Sequence, residues 1–177
     1  MLMGLLAVLG LFLIPIGGGI PAGVLMARKV GLAWPVTAGL YFVSDVILAF
    51  AFEPVLRALV ALGRRIPLLA RVTVALQIAM ERVAAHYGGR AAGPFTLVMI
   101  AFGVDPMTGR AAALASGHGF VTGWAIAITG DMLYYAVVAF TTLRLNAYFK
   151  DPNTTMLIVL AGMIIVPLVI RRIKTAW

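Results

Sequence analysis

The chain has 177 residues, of which 63% are hydrophobic and 11% are charged, and it contains no cysteine. A soluble domain of this size could not bury so much apolar side chain, so the composition predicts an integral membrane protein and excludes disulfides and cysteine-ligated metals. The net charge of +8 does not indicate nucleic-acid binding, because the basic residues lie in short segments between apolar spans, as membrane topology requires.

One pattern of glycines and an aspartate occurs twice in the chain. Its members are Gly17, Gly23, Gly31 and Asp45 in the first copy and Gly103, Gly109, Gly117 and Asp131 in the second. The offset is constant, since 103 − 17 and 131 − 45 both equal 86. The aspartates are the informative members, because a carboxylate inside an apolar segment is costly and usually functional. The pattern predicts two repeats, over residues 1–57 and 91–144.

Each predicted repeat opens with two short apolar arms around a break rich in glycine and proline. An arm of this length cannot supply the about 20 residues that a membrane crossing needs, so we predict a re-entrant hairpin in each repeat. For the first hairpin, the alternative is one kinked helix over residues 2–27. The predicted tip residues of the two hairpins are Gly17, Gly18, Gly19, Pro21, Gly23, Pro106 and Gly109.

Three full spans are predicted, over residues 31–56, 121–143 and 154–170, and Pro54 is expected to kink or end the first. Residues 58–90 have the pattern of an amphipathic helix on the membrane surface, and the arginines there indicate the cytoplasmic side. The basic residues near the end of the chain predict a cytoplasmic C-terminus. The predicted fold is therefore a single all-α integral membrane domain, an inverted repeat with an extra C-terminal helix, as in secondary transporters.

Four charged residues in apolar segments are the candidate substrate-binding or coupling groups, namely Asp105, Arg110, Asp45 and Asp131. Arg110 could clamp an anionic head group and Asp105 could carry a proton, or the two could form an internal ion pair that fixes the hairpin. The other two aspartates could be repeat-related proton or cation sites, or caps for the opposite hairpin. Glu53 is expected to be an interfacial charge near Arg57.

Several kinds of chemistry have no support in the sequence. There is no nucleophile elbow, no nucleotide-binding motif and no cluster with metal-ligand spacing, so we expect neither an enzyme nor a cofactor or metal site. His118, between two glycines, is expected to lie at the membrane interface.

The chain resembles the small multi-drug export family, distant relatives of the DedA and VTT-domain membrane proteins. The resemblance covers about residues 14–145, and the motifs that carry it are Ile20-Pro21-Ala22-Gly23, the helix over 39–59, His86-Tyr87-Gly88, and Pro106 to Gly117 followed by Gly130-Asp131. It implies two opposed re-entrant hairpins and transport of hydrophobic cations or lipid-linked phosphates. Members tend to have an acidic residue and an arginine before the first Ile-Pro, where this chain has three glycines.

We therefore expect a bacterial inner-membrane protein that moves a small amphipathic or phosphate-bearing lipid substrate, with possible proton coupling. The alternative is a non-catalytic integral membrane subunit of a larger complex. The expected protein partners are further copies of this chain, in a homo-oligomer, or the other members of a larger membrane complex. The lipid bilayer is the one partner that the composition itself requires.

Overall fold

The computed structural model describes residues 2–14, 19–63, 109–110, 113–114 and 118–175. The described part of the chain is helical and contains no β-strand, which confirms the all-α class. Short helical stretches occur at 109–110 and 113–114. The five longer helices are α1 (Leu2–Phe12), α2 (Gly19–Lys29), α3 (Trp34–Gly63), α4 (Phe120–Phe149) and α5 (Pro152–Thr175). The predicted surface helix, from residue 64 onward, and the candidate residues Gly17, Gly18, Asp105 and Pro106 lie outside the described residues.

The first two helices, of 11 residues each, pack against one another. At 1.5 Å per residue each is about 16 Å long, roughly half the thickness of a bilayer's hydrocarbon core. The packing is close because Gly23 has no side chain: a Cβ atom there would lie 2.2 Å from Cε1 of Phe12. Residues 2–29 thus contain two packed helices and not one continuous helix.

The break between these helices is shorter than the sequence suggested. Since α2 begins at Gly19, both Pro21 and Gly23 lie inside a helix, and the expectation that they form the hairpin tip was wrong. Pro21 is compatible with the helix because it occupies the first turn, where its missing N–H removes no intrahelical hydrogen bond. In the second repeat, Gly109 is also helical, and it is buried.

The two long helices, α3 and α4, have 30 residues each. Their bounds keep the offset of the sequence pattern, since 120 − 34 and 149 − 63 both equal 86. Each contains a stretch long and apolar enough to cross a membrane, Trp34–Ala58 in α3 and Phe120–Phe149 in α4. The helix α3 continues past Pro54 to Gly63. A proline inside a helix removes one backbone hydrogen bond, but its fixed φ is compatible with helical geometry.

The turn between α4 and α5 consists of Lys150, which has a positive φ of 55°, and Asp151. The Asp151 carboxylate accepts hydrogen bonds from the backbone N–H groups of Asn153 and Thr154 and from the Thr154 hydroxyl. These bonds, with that from the Thr154 side chain first, hold the pKa of Asp151 below its usual value. Asp151 thereby caps the helix α5, which also contacts α2.

The chain forms two compact units. The terminal unit comprises Met1–Ser44 and Tyr135–Trp177, and the central unit comprises Asp45–Tyr134. Each unit therefore contains the first part of one long helix and the second part of the other. At the 86-residue offset, residues 34–44 of α3 in the terminal unit correspond to residues 120–130 of α4 in the central unit.

Candidate functional site

A buried glutamate, Glu53 of α3, is the centre of a polar cluster in the central unit. Its Oε1 accepts hydrogen bonds from Arg57 Nε at 2.8 Å and from Arg110 Nη2 at 2.9 Å. Its Oε2 accepts from Arg110 Nε at 3.0 Å and from Trp124 Nε1 at 2.8 Å. We call these four residues the glutamate cluster. A carboxylate in an apolar helix needs such partners, because its desolvation is otherwise uncompensated.

Glu53 is only 5% exposed, and its predicted pairing with Arg57 is confirmed. The sequence did not predict that its carboxylate is buried against other side chains.

Arg110 is the largest fully buried side chain among the described residues and is 1% exposed. It binds Glu53 through two parallel hydrogen bonds, the strongest geometry for this kind of pair. The absence of a side chain at Gly123 lets the guanidinium approach α4, since a Cβ atom there would lie 2.5 Å from Nη1. Nη1 lies 3.5 Å from the carbonyl oxygen of His118, which is a long contact. The Nδ1 atom of His118 is buried and has no hydrogen-bond partner among the described residues.

Arg57 occupies the exposed side of the glutamate cluster. Its side chain is 64% exposed, and its guanidinium carbon lies 6.0 Å from the centroid of the Phe120 ring. The cluster contains two arginines and one glutamate, so its formal net charge is positive.

A second polar group of the central unit consists of Asp45 of α3 and Asp131 of α4, which we call the aspartate pair. They are 2% and 3% exposed, and their carboxyl groups lie close enough to interact. Two neighbouring buried carboxylates repel each other, which favours the state in which one of them carries a proton. The Oδ2 atom of Asp45 is buried and has no hydrogen-bond partner among the described residues.

The terminal unit contains a group of four contacting aromatic side chains, which we call the aromatic cluster. The ring of Tyr135 lies between those of Tyr41 and Trp34, with centroid distances of 4.3 and 5.8 Å. Phe12 meets both tyrosines edge-on, at 5.1 and 6.0 Å. The side chains of Phe12, Tyr41 and Tyr135 are buried.

Three of the four candidate charges therefore lie in the central unit, and two of them, Asp45 and Asp131, contact each other. Arg110 is paired with Glu53, and its predicted partner Asp105 lies outside the described residues. The sequence did not reveal that Glu53 is the counter-ion of Arg110 or that Trp124 donates a hydrogen bond to Glu53. The available signal for Glu53 was its position in an apolar stretch that also contains Asp45.

In the described part of the chain, no three side chains of His, Cys, Asp or Glu lie together as metal ligands would. No protein-family model, no curated protein and no solved structure matches this chain. The indications of function thus come from the chemistry of the glutamate cluster and the aspartate pair.

Proposed function

We propose that this protein is a membrane transporter that moves a small amphipathic or phosphate-bearing lipid substrate and uses the aspartate pair to carry a coupling proton. The observation that supports this most strongly is the proximity of two buried carboxyl groups on two long apolar helices. Ionisable residues inside membrane spans usually belong to ion or proton pathways. Loss of the shared proton would place two like charges side by side, which favours a rearrangement of the helices that carry them.

The proposed frame is an inverted repeat whose two hairpins enter the membrane without crossing it. The shared offset of α3 and α4 supports the repeat, and the short lengths of α1 and α2 support a re-entrant first hairpin. The second hairpin would lie within 91–120. We place residues 58–90 and the C-terminus on the cytoplasmic side of a bacterial inner membrane, from the distribution of basic residues and the family resemblance.

The test is proton movement in liposomes that contain the purified protein and a trapped pH-sensitive dye. The probes are ethidium, an amphipathic cation, and dodecyl phosphate, an amphipathic anion. We expect a probe-dependent proton flux that is lost in Asp45→Asn and Asp131→Asn, because the amide keeps the size of the carboxyl group but cannot exchange a proton. The matched control is Asp151→Asn, at the exposed cap of α5. A folded Asp131→Asn variant with the flux of the wild type would contradict the proposal.

A second candidate function is that of a non-catalytic subunit in a larger membrane complex. It is favoured by the state of Arg110, which the structure shows engaged in an internal ion pair. A subunit would co-purify in mild detergent with another protein in fixed stoichiometry, as mass spectrometry would show. It would produce no proton flux with either probe.

A further inference from the structure

The glutamate cluster has an apolar counterpart in the terminal unit. At the repeat offset, Arg110 corresponds to Val24 and Glu53 to Ala139, since 110 − 24 and 139 − 53 both equal 86. Val24 and Ala139 are buried. The positions that correspond in the sequence are thus filled once by charged and once by apolar side chains.

At two other matched pairs of positions, the larger side chains lie in the terminal unit and the smaller ones in the central unit. The stacked Tyr41 and Tyr135 of the terminal unit correspond to Ala127 and Ala49 of the central unit, since 127 − 41 and 135 − 49 both equal 86. These two alanines lie in a buried core with Trp124. The terminal unit is therefore filled by aromatic rings, whereas the central unit combines small residues with a buried ion pair.

This difference bears on why the charges are present. A buried ion pair is often no more stabilising than well-packed apolar residues of similar volume. The chain itself contains an apolar solution at the equivalent positions, so the fold of a repeat does not require the charges. Their presence in one copy indicates a role in binding.

Glu53 has hydrogen-bond partners other than Arg110, so Arg110 could bind another anion in its place. Both Arg57 Nε and Arg110 Nη2 donate to the same oxygen of Glu53, and Trp124 donates to the other oxygen. If Arg110 left, Glu53 would keep the partners Arg57 and Trp124. A buried carboxylate would therefore not be left without a counter-ion.

We propose that Arg110 is an oxyanion-binding residue, where a phosphate or carboxylate group displaces Glu53 from the guanidinium while Glu53 stays on Arg57. The surplus positive charge of the glutamate cluster favours an anion. His118 lies beside this site, since its carbonyl oxygen is 3.5 Å from Arg110 Nη1, and its buried Nδ1 has no hydrogen-bond partner among the described residues. The inference concerns binding alone and would hold if the protein transported nothing.

Trp124 provides the reporter, because displacement of Glu53 would change the surroundings of its indole N–H. The chain has three tryptophans, so replacement of Trp34 and Trp177 by phenylalanine leaves Trp124 as the single fluorophore. The protein in neutral detergent is titrated with inorganic phosphate and, separately, with dodecyl phosphate. A saturable change with inorganic phosphate identifies a free anion as sufficient, and a change with dodecyl phosphate alone identifies an amphipathic anion. No saturable change with either probe, or an equal change with dodecyl trimethylammonium, would overturn the inference.

Substitutions distinguish exchange from a purely structural ion pair. Arg110→Lys should weaken binding about tenfold or more, because the two-pronged contact is lost. Glu53→Gln should strengthen binding about tenfold, because the competing negative charge is removed. Weaker binding in Glu53→Gln would overturn the inference, since a structural pair predicts that both variants impair the site.

A second variant decides the matter if Glu53→Gln does not fold. Arg57→Gln alters an exposed side chain and removes the alternative partner of Glu53, so binding should weaken. The matched control is Arg144→Gln, because Arg144 also lies over a phenylalanine ring, 5.0 Å from the centroid of Phe140, and should show unchanged binding. Equal affinity in Arg57→Gln and Arg144→Gln would overturn the inference.

Discussion

Glu53 contacts Arg57, four residues away in the same helix, and also Arg110 and Trp124, which are far from it in the sequence. Spacing along α3 predicts the pair with Arg57, because residues four apart share a helix face. The contacts with Arg110 and Trp124 depend instead on how separate helical segments pack, which local patterns do not determine. Likewise, the sequence singled out Asp45 and Asp131 as matched residues, but only the structure shows their carboxyl groups in contact.

The ion pair between Glu53 and Arg110 should show strong energetic coupling. Arg110→Met should destabilise the protein by about 3 kcal/mol or more, because a buried carboxylate loses its two-pronged partner. Glu53→Leu should also destabilise it, and the double variant should cost less than the two single changes together, with a coupling of about 1–3 kcal/mol. The measurement is a double-mutant cycle of chemical unfolding in detergent. Additive costs within about 0.5 kcal/mol would show that the two side chains are not coupled.

Among the helices, the sequence predicted which segments are apolar more reliably than where each helix ends. The apolar stretches of α3 and α4 were placed correctly, but both helices extend beyond their predicted ends, to Gly63 and Phe149. Hydrophobic composition identifies the part of a helix that suits lipid, while backbone hydrogen bonding can continue into polar residues. The glycines were also misjudged, because Gly23 serves close packing against Phe12 and not a turn.

The packing of α1 against α2 should be sensitive to a single methyl group. In Gly23→Ala the new Cβ would overlap the Phe12 ring, so we expect a loss of about 1–3 kcal/mol in stability. The matched control is Gly39→Ala in α3, where nothing lies within 4 Å of the added Cβ, and where alanine favours the helix. Thermal unfolding of both variants in detergent gives the comparison. An unchanged melting temperature for Gly23→Ala would mean that α1 and α2 are not closely packed.

For the molecule as a whole, the constant offset was the strongest signal in the sequence. It recurs in the bounds of α3 and α4, and it relates positions of the terminal unit to positions of the central unit. What the sequence could not show is how the two units differ in their buried side chains, because the aromatic rings of one and the ion pair of the other are recognised only from the packing. The orientation of the repeats in a membrane remains a prediction from the basic residues.

That orientation can be measured directly with single cysteines, because the natural chain has none. Met3→Cys and Val30→Cys place exposed thiols at the same end of the α1–α2 pair, where Gly4 lies next to Val30, and Ala58→Cys places one at the far end of the span in α3. The measurement is labelling by a membrane-impermeant maleimide in sealed vesicles of known orientation. We predict that Met3→Cys and Val30→Cys are labelled from the same side and Ala58→Cys from the opposite side. Labelling of Met3→Cys and Val30→Cys from opposite sides would show that the first helical pair crosses the membrane and would contradict the re-entrant frame.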